Sequence, residues 1–218
     1  MEKQKKVFKN EIKYKVILND EQKEAKRFIR ENQIVVVTGR AGCGKSLVSA
    51  QTALDFLNKK ECEKIYVTRA TVEVGHSLGF LPGGLDEKFN PYIEALIDNL
   101  NKCQDPVKTS QLISDGKIIG CTVQFIRGKT IDDVLIIEEA QNMTKHQMLA
   151  LLTRLGKTGK IIINGDNEQK DIKDEFNGLS YAIDLAKKFP NDIKYVKLKE
   201  NHRSDLVGKI LDYEYSGK

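Results

Sequence analysis

The sequence predicts an α/β fold in which a mostly parallel sheet carries helices on both faces. Short apolar runs alternate with amphipathic segments along the chain, which is typical of repeated strand and helix units. Residues 134–137 and 161–163 are apolar without interruption, as expected for strands buried on both faces of a parallel sheet. A glycine-rich stretch, residues 39–46, lies between a strand-like run and a helix-like run. In a doubly wound sheet of this kind, ligands bind at the carboxyl ends of the strands.

The predicted elements cover most of the chain. A helix over 21–31, with Asp20 as its N-cap, precedes a strand over 33–38 and a helix that begins near Gly44 and includes 47–57. The strand over 33–38, the helix that includes 47–57 and a strand over 64–68 form a unit whose two strands should be parallel. A turn-rich loop follows over 75–84. The remaining predictions are helices over 86–102, 144–155, 177–189 and 204–215, the last capped by Ser204, and strands over 117–122, 132–137, 160–164 and 193–198.

Length and composition indicate a single domain. The 218 residues, 40% hydrophobic and 31% charged, support a domain over 20–218 preceded by a basic segment over 1–19. The longest apolar runs have four or five residues and no apolar signal core follows the charged N-terminus, so we expect a cytoplasmic protein without a membrane span. The four cysteines form no C-x-x-C pair, and the three histidines lie far apart, so neither a zinc site nor a disulfide framework is indicated.

The glycine-rich stretch fits the phosphate-loop pattern G-x-x-x-x-G-K-[ST] at every fixed position. Its backbone N–H groups and the N-terminus of the following helix attract phosphate oxygens. Lys45 should reach the β- and γ-phosphates, and the Ser46 hydroxyl should bind Mg²⁺. The candidate nucleotide contacts are Gly39, Arg40, Ala41, Gly42, Cys43, Gly44, Lys45, Ser46 and Leu47. The alternative, a glycine-rich turn of no special use, is disfavoured by the strand and helix around it.

Polar side chains follow later strands where the nucleotide crevice should lie. Glu138 and Glu139 come directly after a buried strand, where a phosphate-loop protein holds Mg²⁺ with one acid and polarises the attacking water with another. Gln169, in a G-D-x-x-Q loop, should lie near the γ-phosphate, and Arg203 should stabilise the charge of the transferred phosphoryl group. The alternatives are an acidic turn for the carboxylates and a solvated surface arginine for Arg203.

Taken together, these motifs resemble the PhoH family, whose core is a RecA-like phosphate-loop ATPase related to superfamily 1 helicases. The resemblance spans most of the chain. Its residues are the phosphate loop, G-F-L-P-G over 79–83 with Pro91 and Tyr92, R-G-K-T over 127–130, E-E-A-Q-N over 138–142 continuing through Gln147 and Met148 to L-T-R-L-G over 152–156, Gly165 and Asp166 with Gln169, and Arg203 before Leu206 and Val207.

The resemblance implies ATP binding and Mg²⁺-dependent hydrolysis, with Glu139 as the water-activating base, Gln169 as the γ-phosphate sensor and Arg203 as the transition-state arginine. It also implies that Gln22, seventeen residues before Gly39, reads the adenine edge, although a helix-surface glutamine is the ordinary alternative. Glu138 stands where the family usually has aspartate, which moves the carboxylate outward by one methylene.

The function expected from the resemblance is that of a helicase-like motor or remodeller acting on single-stranded nucleic acid, RNA more than DNA. A nucleotide-dependent switch that binds a protein partner without translocation is the alternative. A GTPase is disfavoured because no N-K-x-D signature is present, and a kinase because of the paired acids and the G-D-x-x-Q loop. The formal net charge of +5 favours a polyanion partner, and Arg69, Arg127 and Lys129 are the candidate contacts. The resemblance further implies a hexameric ring in which Arg203 completes the neighbouring site.

Overall fold

A six-stranded sheet forms the centre of the molecule, whose structure is a computed structural model. The structure describes residues 14–70, 94, 96–172, 176–202 and 205–215. In sequence order the strands are β1 (Ile34–Thr38), β2 (Ile65–Arg69), β3 (Ile118–Gly120), β4 (Val134–Glu138), β5 (Lys160–Gly165) and β6 (Ile193–Lys197). Their spatial order is β3-β2-β4-β5-β1-β6, and every neighbouring pair is parallel. The parallel α/β sheet predicted from the sequence is therefore confirmed.

Helices cover both faces of this sheet, as predicted. Those of the described residues are α1 (Asp20–Glu31), α2 (Lys45–Asn58), α3 (residues 96–103), α4 (Pro106–Ser114), α5 (Val123–Arg127), α6 (Lys145–Leu152), α7 (Gly178–Lys188) and α8 (Asp205–Tyr215). Apolar residues of α1, α2 and α3 pack with Val35 and Ile136 in one core. Residues of α5, α6 and α7 pack with Val36 and Leu135 in the other. The alternation of side chains along each strand therefore decides which face a residue serves.

Several predicted boundaries differ from the structure. The N-cap of α1 is Asn19, not Asp20, because Asn19 accepts a hydrogen bond from the Gln22 N–H while Gln22 bonds back to the Asn19 N–H. Helix α6 ends at Leu152, before the predicted 155, and α4 and the five-residue α5 were not predicted. Thr122 caps α5, and so short a helix leaves almost no periodicity to detect.

Two predictions lie outside the described residues: the loop over 75–84 and the cap of α8 at Ser204. The predicted helix over 86–102 is described only in its second half, at residue 94 and residues 96–103, which are helical. Within the described part of the chain, none of the helices has the length and apolar character needed to cross a membrane.

Candidate functional site

The phosphate loop connects the carboxyl end of β1 to the first residue of α2. Gly44, the residue before α2, has a left-handed backbone with φ 88° and ψ 21°. A side chain there would be strained, and its Cβ would meet the Gln22 amide. Only glycine therefore lets the chain turn into the helix at this point, which leaves the first N–H groups of α2 facing the cavity above the sheet.

The Lys45 side chain folds back over the earlier residues of the phosphate loop. Its ammonium donates to the carbonyl oxygens of Gly39 at 2.5 Å and Arg40 at 3.3 Å. Both acceptors are backbone atoms of the loop, so the charge of Lys45 lies where phosphate oxygens would approach the loop N–H groups. The contact of Lys45 with the β- and γ-phosphates stays a prediction.

Glu138 ends β4 beside the phosphate loop. Its Oε2 accepts a hydrogen bond from the Ser46 hydroxyl at 2.9 Å, and its Oε1 accepts one from the Asn164 amide at 3.0 Å. Ser49, one turn along α2, donates to Asn164 Oδ1 at 3.0 Å and so fixes that amide. Burial raises the pKa of Glu138, while the bonds from Asn164 and Ser46 oppose this shift. A carboxylate and a hydroxyl are thus held together in a site that disfavours uncompensated negative charge.

This pair of oxygens fits Mg²⁺. Magnesium prefers hard oxygen ligands and is usually held by one or two carboxylates with substrate phosphates and water. The structure supplies the Glu138 carboxylate and the Ser46 hydroxyl next to each other, and the extra methylene of glutamate does not separate them. No cluster of three acidic, histidine or cysteine side chains suited to a metal occurs among the described residues.

Glu139 has an unusual backbone for a glutamate. Its φ of 51° and ψ of 46° lie in the left-handed region, which costs about 1–2 kcal/mol for a residue with a Cβ. A single turn of 3₁₀ helix, Ala140–Asn142, follows. Strain of this kind often occurs at functional sites, and here it turns successive carboxylates of Glu138 and Glu139 into the same cavity.

Gln141 links Glu139 to the loop after β5. Its Nε2 donates to Glu139 Oε2 at 2.5 Å and to the Gln169 carbonyl at 3.3 Å, while its Oε1 accepts from the Asp166 N–H at 3.0 Å. Gln141 is completely buried. One amide therefore orients the predicted base and holds both ends of the turn Asn167–Gln169. No role was predicted for Gln141, whose signals in the sequence are its place in E-E-A-Q-N over 138–142 and its position two residues after Glu139.

These groups line one cavity of about 490 Å³. It is walled by the phosphate loop, by the carboxyl ends of β4 and β5, and by residues of α1, α3 and the segment after β6. The lining residues are Val16, Ile17, Gln22, Ala41, Gly42, Gly44, Lys45, Ser46, Leu47, Asn99, Lys102, Glu138, Glu139, Asn164, Gly165, Gln169 and His202. The structure thus brings residues of the loop, both carboxylates, Gln22 and Gln169 to one cavity. That this cavity binds nucleotide stays a prediction.

Three predicted contacts of the loop lie away from this cavity. Gly39 and Arg40 line a neighbouring cavity, where Arg40 Nε donates to Glu168 Oε2 at 3.1 Å. Cys43 is buried below the loop, and burial raises the pKa of its thiol. Gln22 is also nearly buried, and its Nε2 donates to the Cys43 carbonyl at 3.0 Å. Gln22 therefore ties α1 to the loop, and its contact with adenine stays a prediction.

The candidate nucleic-acid contacts lie in two places. Arg69 pairs in register with Glu138 at the carboxyl edge of the sheet, and its side chain is exposed. Arg127 lies toward the amino edge of the sheet. Its carbonyl accepts a hydrogen bond from the Arg154 side chain, and Arg154 directly precedes Leu155, which forms a β-bridge with Ile131 ahead of β4. Lys129 lies 3.8 Å from the centre of the Phe125 ring. Lys129 also lies 5.6 Å from the centre of the Tyr66 ring of β2, the strand that ends at Arg69.

Arg203 lies outside the described residues. The residue before it, His202, donates its N–H to the Gly42 carbonyl at 3.1 Å. His202 also lines the cavity, which the sequence analysis did not predict, because nothing local indicates that the chain returns to the phosphate loop after β6.

Comparison with known proteins agrees with the sequence resemblance. The family model described as PhoH-like protein matches residues 15–214. A PhoH-like protein of Mycobacterium leprae is 38% identical over 194 residues, which cover 85% of this chain and 55% of that protein. A PhoH-like protein of Bacillus subtilis is 38% identical over 195 residues, covering 88% of this chain and 61% of that protein. The chain thus spans less than two thirds of the length of these relatives.

Among solved structures, the large terminase from a thermophilic bacteriophage has a similar fold. It superimposes with a TM-score of 0.59 at 10% identity, covering 92% of this chain and 51% of that chain. The same terminase in complex with ADP gives a TM-score of 0.54 at 13% identity, covering 90% and 50%. These structures share the fold of this chain, and the family model and the PhoH-like relatives show that this chain belongs to the PhoH family.

Proposed function

We propose that the chain binds ATP with Mg²⁺ in the 490 Å³ cavity and hydrolyses it. The observation that carries this proposal is the buried Glu138 carboxylate bonded to Ser46 of the phosphate loop, with the Glu139 carboxylate next to it. The terminase of similar fold was solved with ADP, which supports nucleotide as the ligand. Residues 20–218 form the ATPase domain in this proposal, and the cytosol is its compartment.

Each residue has a stated task in this reaction. The loop N–H groups and Lys45 bind the phosphates, and Mg²⁺ held by Ser46 and Glu138 would neutralise charge on the β- and γ-phosphate oxygens. Gln141 holds Glu139 Oε2, so Oε1 is the atom that accepts the proton of the attacking water. Gln169 detects the γ-phosphate, and Gln22 contacts the adenine edge.

The test of the base is Glu139→Gln. Removing a positioned base should lower kcat roughly a hundredfold or more while leaving ATP binding intact. Glu61→Gln, which removes a carboxylate that pairs with Arg30 on the surface, is the control and should keep full activity. Turnover of Glu139→Gln at the wild-type rate would show that another group activates the water.

The partner in this proposal is single-stranded nucleic acid, with RNA preferred over DNA. The family assignment and the net positive charge support it. A motor should hydrolyse ATP faster when single-stranded RNA is added, whereas a protein-binding switch should not respond. ATPase rates with single-stranded RNA, single-stranded DNA and duplex distinguish these two functions.

We further propose a ring, most simply a hexamer, in which Arg203 of one subunit completes the site of its neighbour. Arg203 directly follows His202, whose N–H donates to the Gly42 carbonyl of the phosphate loop. In a head-to-tail ring, the same surface of each subunit meets the nucleotide site of the next subunit, so every site is completed in the same way. Mixing Lys45→Ala with Arg203→Ala subunits should restore ATPase activity if Arg203 acts across the interface. No recovery in confirmed mixed assemblies would mean that Arg203 acts within its own chain.

A further inference from the structure

A second cavity, of about 350 Å³, lies beside the phosphate loop and takes no part in the proposed hydrolysis. It borders Gly39 and Arg40 of the loop, and its wall includes Ile183 of α7. The wall of the nucleotide cavity instead includes residues of α1 and α3. Three residues of the β6 segment, Tyr195, Lys197 and Lys199, line it.

These three residues alternate along the chain and share one side. Ile193 packs in the core on the α7 side, whereas Val196 packs in the core on the α1 side. The odd-numbered residues of β6 therefore face α7. Successive members of this aromatic–lysine row are roughly 7 Å apart along an extended chain. In the described sheet β6 pairs only with β1, so the row lies along a sheet edge.

The charge that this cavity presents is positive. Its cationic side chains are Arg40, Lys197 and Lys199 and its acidic ones are Asp166 and Glu168, three charges against two. Glu168 pairs with Arg40 at 3.1 Å. Lys197 and Lys199 are exposed, and neither ammonium forms an ion pair with a carboxylate in the part of the chain that the structure describes. Two solvated cations therefore remain to attract an anion.

The Tyr195 ring is a fixed aromatic surface at one end of this row. It is 43% exposed, and its hydroxyl accepts a hydrogen bond from the Thr38 hydroxyl at 3.0 Å. That bond fixes the ring beside the residue that precedes the phosphate loop. An exposed aromatic ring with cations beyond it is the arrangement with which proteins bind single strands, stacking a base and neutralising phosphates.

We propose that this cavity binds a segment of single-stranded nucleic acid, with a base stacked on Tyr195 and phosphates on Lys197 and Lys199. The inference rests on the nucleic-acid partner proposed above and gives that partner a site separate from Arg69, Arg127 and Lys129. A small anion alone would leave the exposed ring unused, and an apolar ligand would leave the two lysines unused.

The first test measures how binding of a fluorescent oligonucleotide depends on salt. Each phosphate contact on a single strand contributes about 0.7 to the slope of log affinity against log salt. Lys197→Ala with Lys199→Ala should therefore reduce the slope by about 1.4 and weaken binding at least tenfold in low salt. The matched control is Lys188→Ala with Lys194→Ala, which removes equal charge from lysines that do not line the cavity and should leave the slope unchanged.

The second test uses the absence of tryptophan from the sequence. Tyr195→Trp introduces a single indole, and its fluorescence should be quenched by an oligonucleotide but not by an abasic strand of equal length. Tyr195→Phe keeps the ring and should keep the affinity, whereas Tyr195→Ala should lower it about tenfold or more. Thermal melting of every variant confirms that the fold is retained.

The outcomes separate this inference from the proposed function. If the wild-type chain binds no oligonucleotide, both fail, although ATP hydrolysis is unaffected by that result. If the wild-type chain binds an oligonucleotide, and both double-lysine variants show the same affinity and the same salt slope, the nucleic-acid partner is retained and this site is wrong. Competition by poly-glutamate as effective as by an oligonucleotide, with no quenching of Tyr195→Trp, would assign the cavity to an acidic protein instead.

Discussion

Gln141→Met should separate the orientation of Glu139 from the binding of nucleotide. The substitution keeps the length of the side chain and removes three hydrogen bonds, to Glu139 Oε2, to the Gln169 carbonyl and from the Asp166 N–H. Glu139 is then free to rotate, and a base displaced by about 1 Å can lose up to about a hundredfold in rate. We expect kcat to fall roughly ten- to a hundredfold while KM for ATP changes little.

The same change should also lower stability. The Asp166 N–H is buried and loses its acceptor, and leaving such a donor unpaired costs about 2 kcal/mol. For a chain of this length that corresponds to a decrease of about 4–8 °C in melting temperature. Single-turnover hydrolysis below the melting transition, together with the affinity for a non-hydrolysable ATP analogue, measures the two effects separately.

Asn142→Leu is the matched control. Asn142 is the next residue, also a buried amide, and it bonds to the Asp171 side chain at 2.8 Å and to the Asp171 N–H at 2.7 Å. Its side chain holds the same loop and makes no hydrogen bond to the Glu139 carboxylate, so its loss should lower stability with little change in kcat. Equal losses of kcat in the two variants would show that the loop as a whole, and not the Gln141–Glu139 bond, sets the rate.

Two further predictions concern buried groups. Glu138→Gln should abolish the Mg²⁺-dependent tightening of ADP binding, measured by titration with and without EDTA. Burial raises the pKa of Glu138 above its usual value of 4.5, so ionising this carboxyl costs folding free energy. The metal-free wild type should therefore lose stability as the pH rises above that value. Glu138→Gln should lose less stability over the same pH range. The thiols of Cys62 and Cys121 should react slowly with iodoacetamide at pH 8, since burial raises the pKa of each to about 12 and leaves roughly one part in ten thousand as thiolate. Alkylation at the rate of the unfolded chain would contradict this, and the denatured protein is the control.

Local sequence determined the strands, most helices and the phosphate loop. Short uninterrupted apolar runs such as residues 134–137, rich in β-branched residues and bounded by charged ones, are typical of strands buried on both faces of a parallel sheet. The loop could be predicted for a similar reason, since its conformation depends on glycine at positions such as Gly44, where φ is 88°. The positions of Glu138 and Glu139 followed from the same rule, because residues after a parallel strand lie at the carboxyl edge.

Only the tertiary structure decided which side chains meet. Asn164 can hold Glu138 because β4 and β5 are neighbours, and strand order is set by the packing of the whole sheet. Gln141 reaches a turn 28 residues away in the chain, and Gln22 is tied to the loop because α1 packs on α2. These contacts join residues distant in sequence, and their free energy comes from burial that exists only once the sheet and both helix layers have assembled.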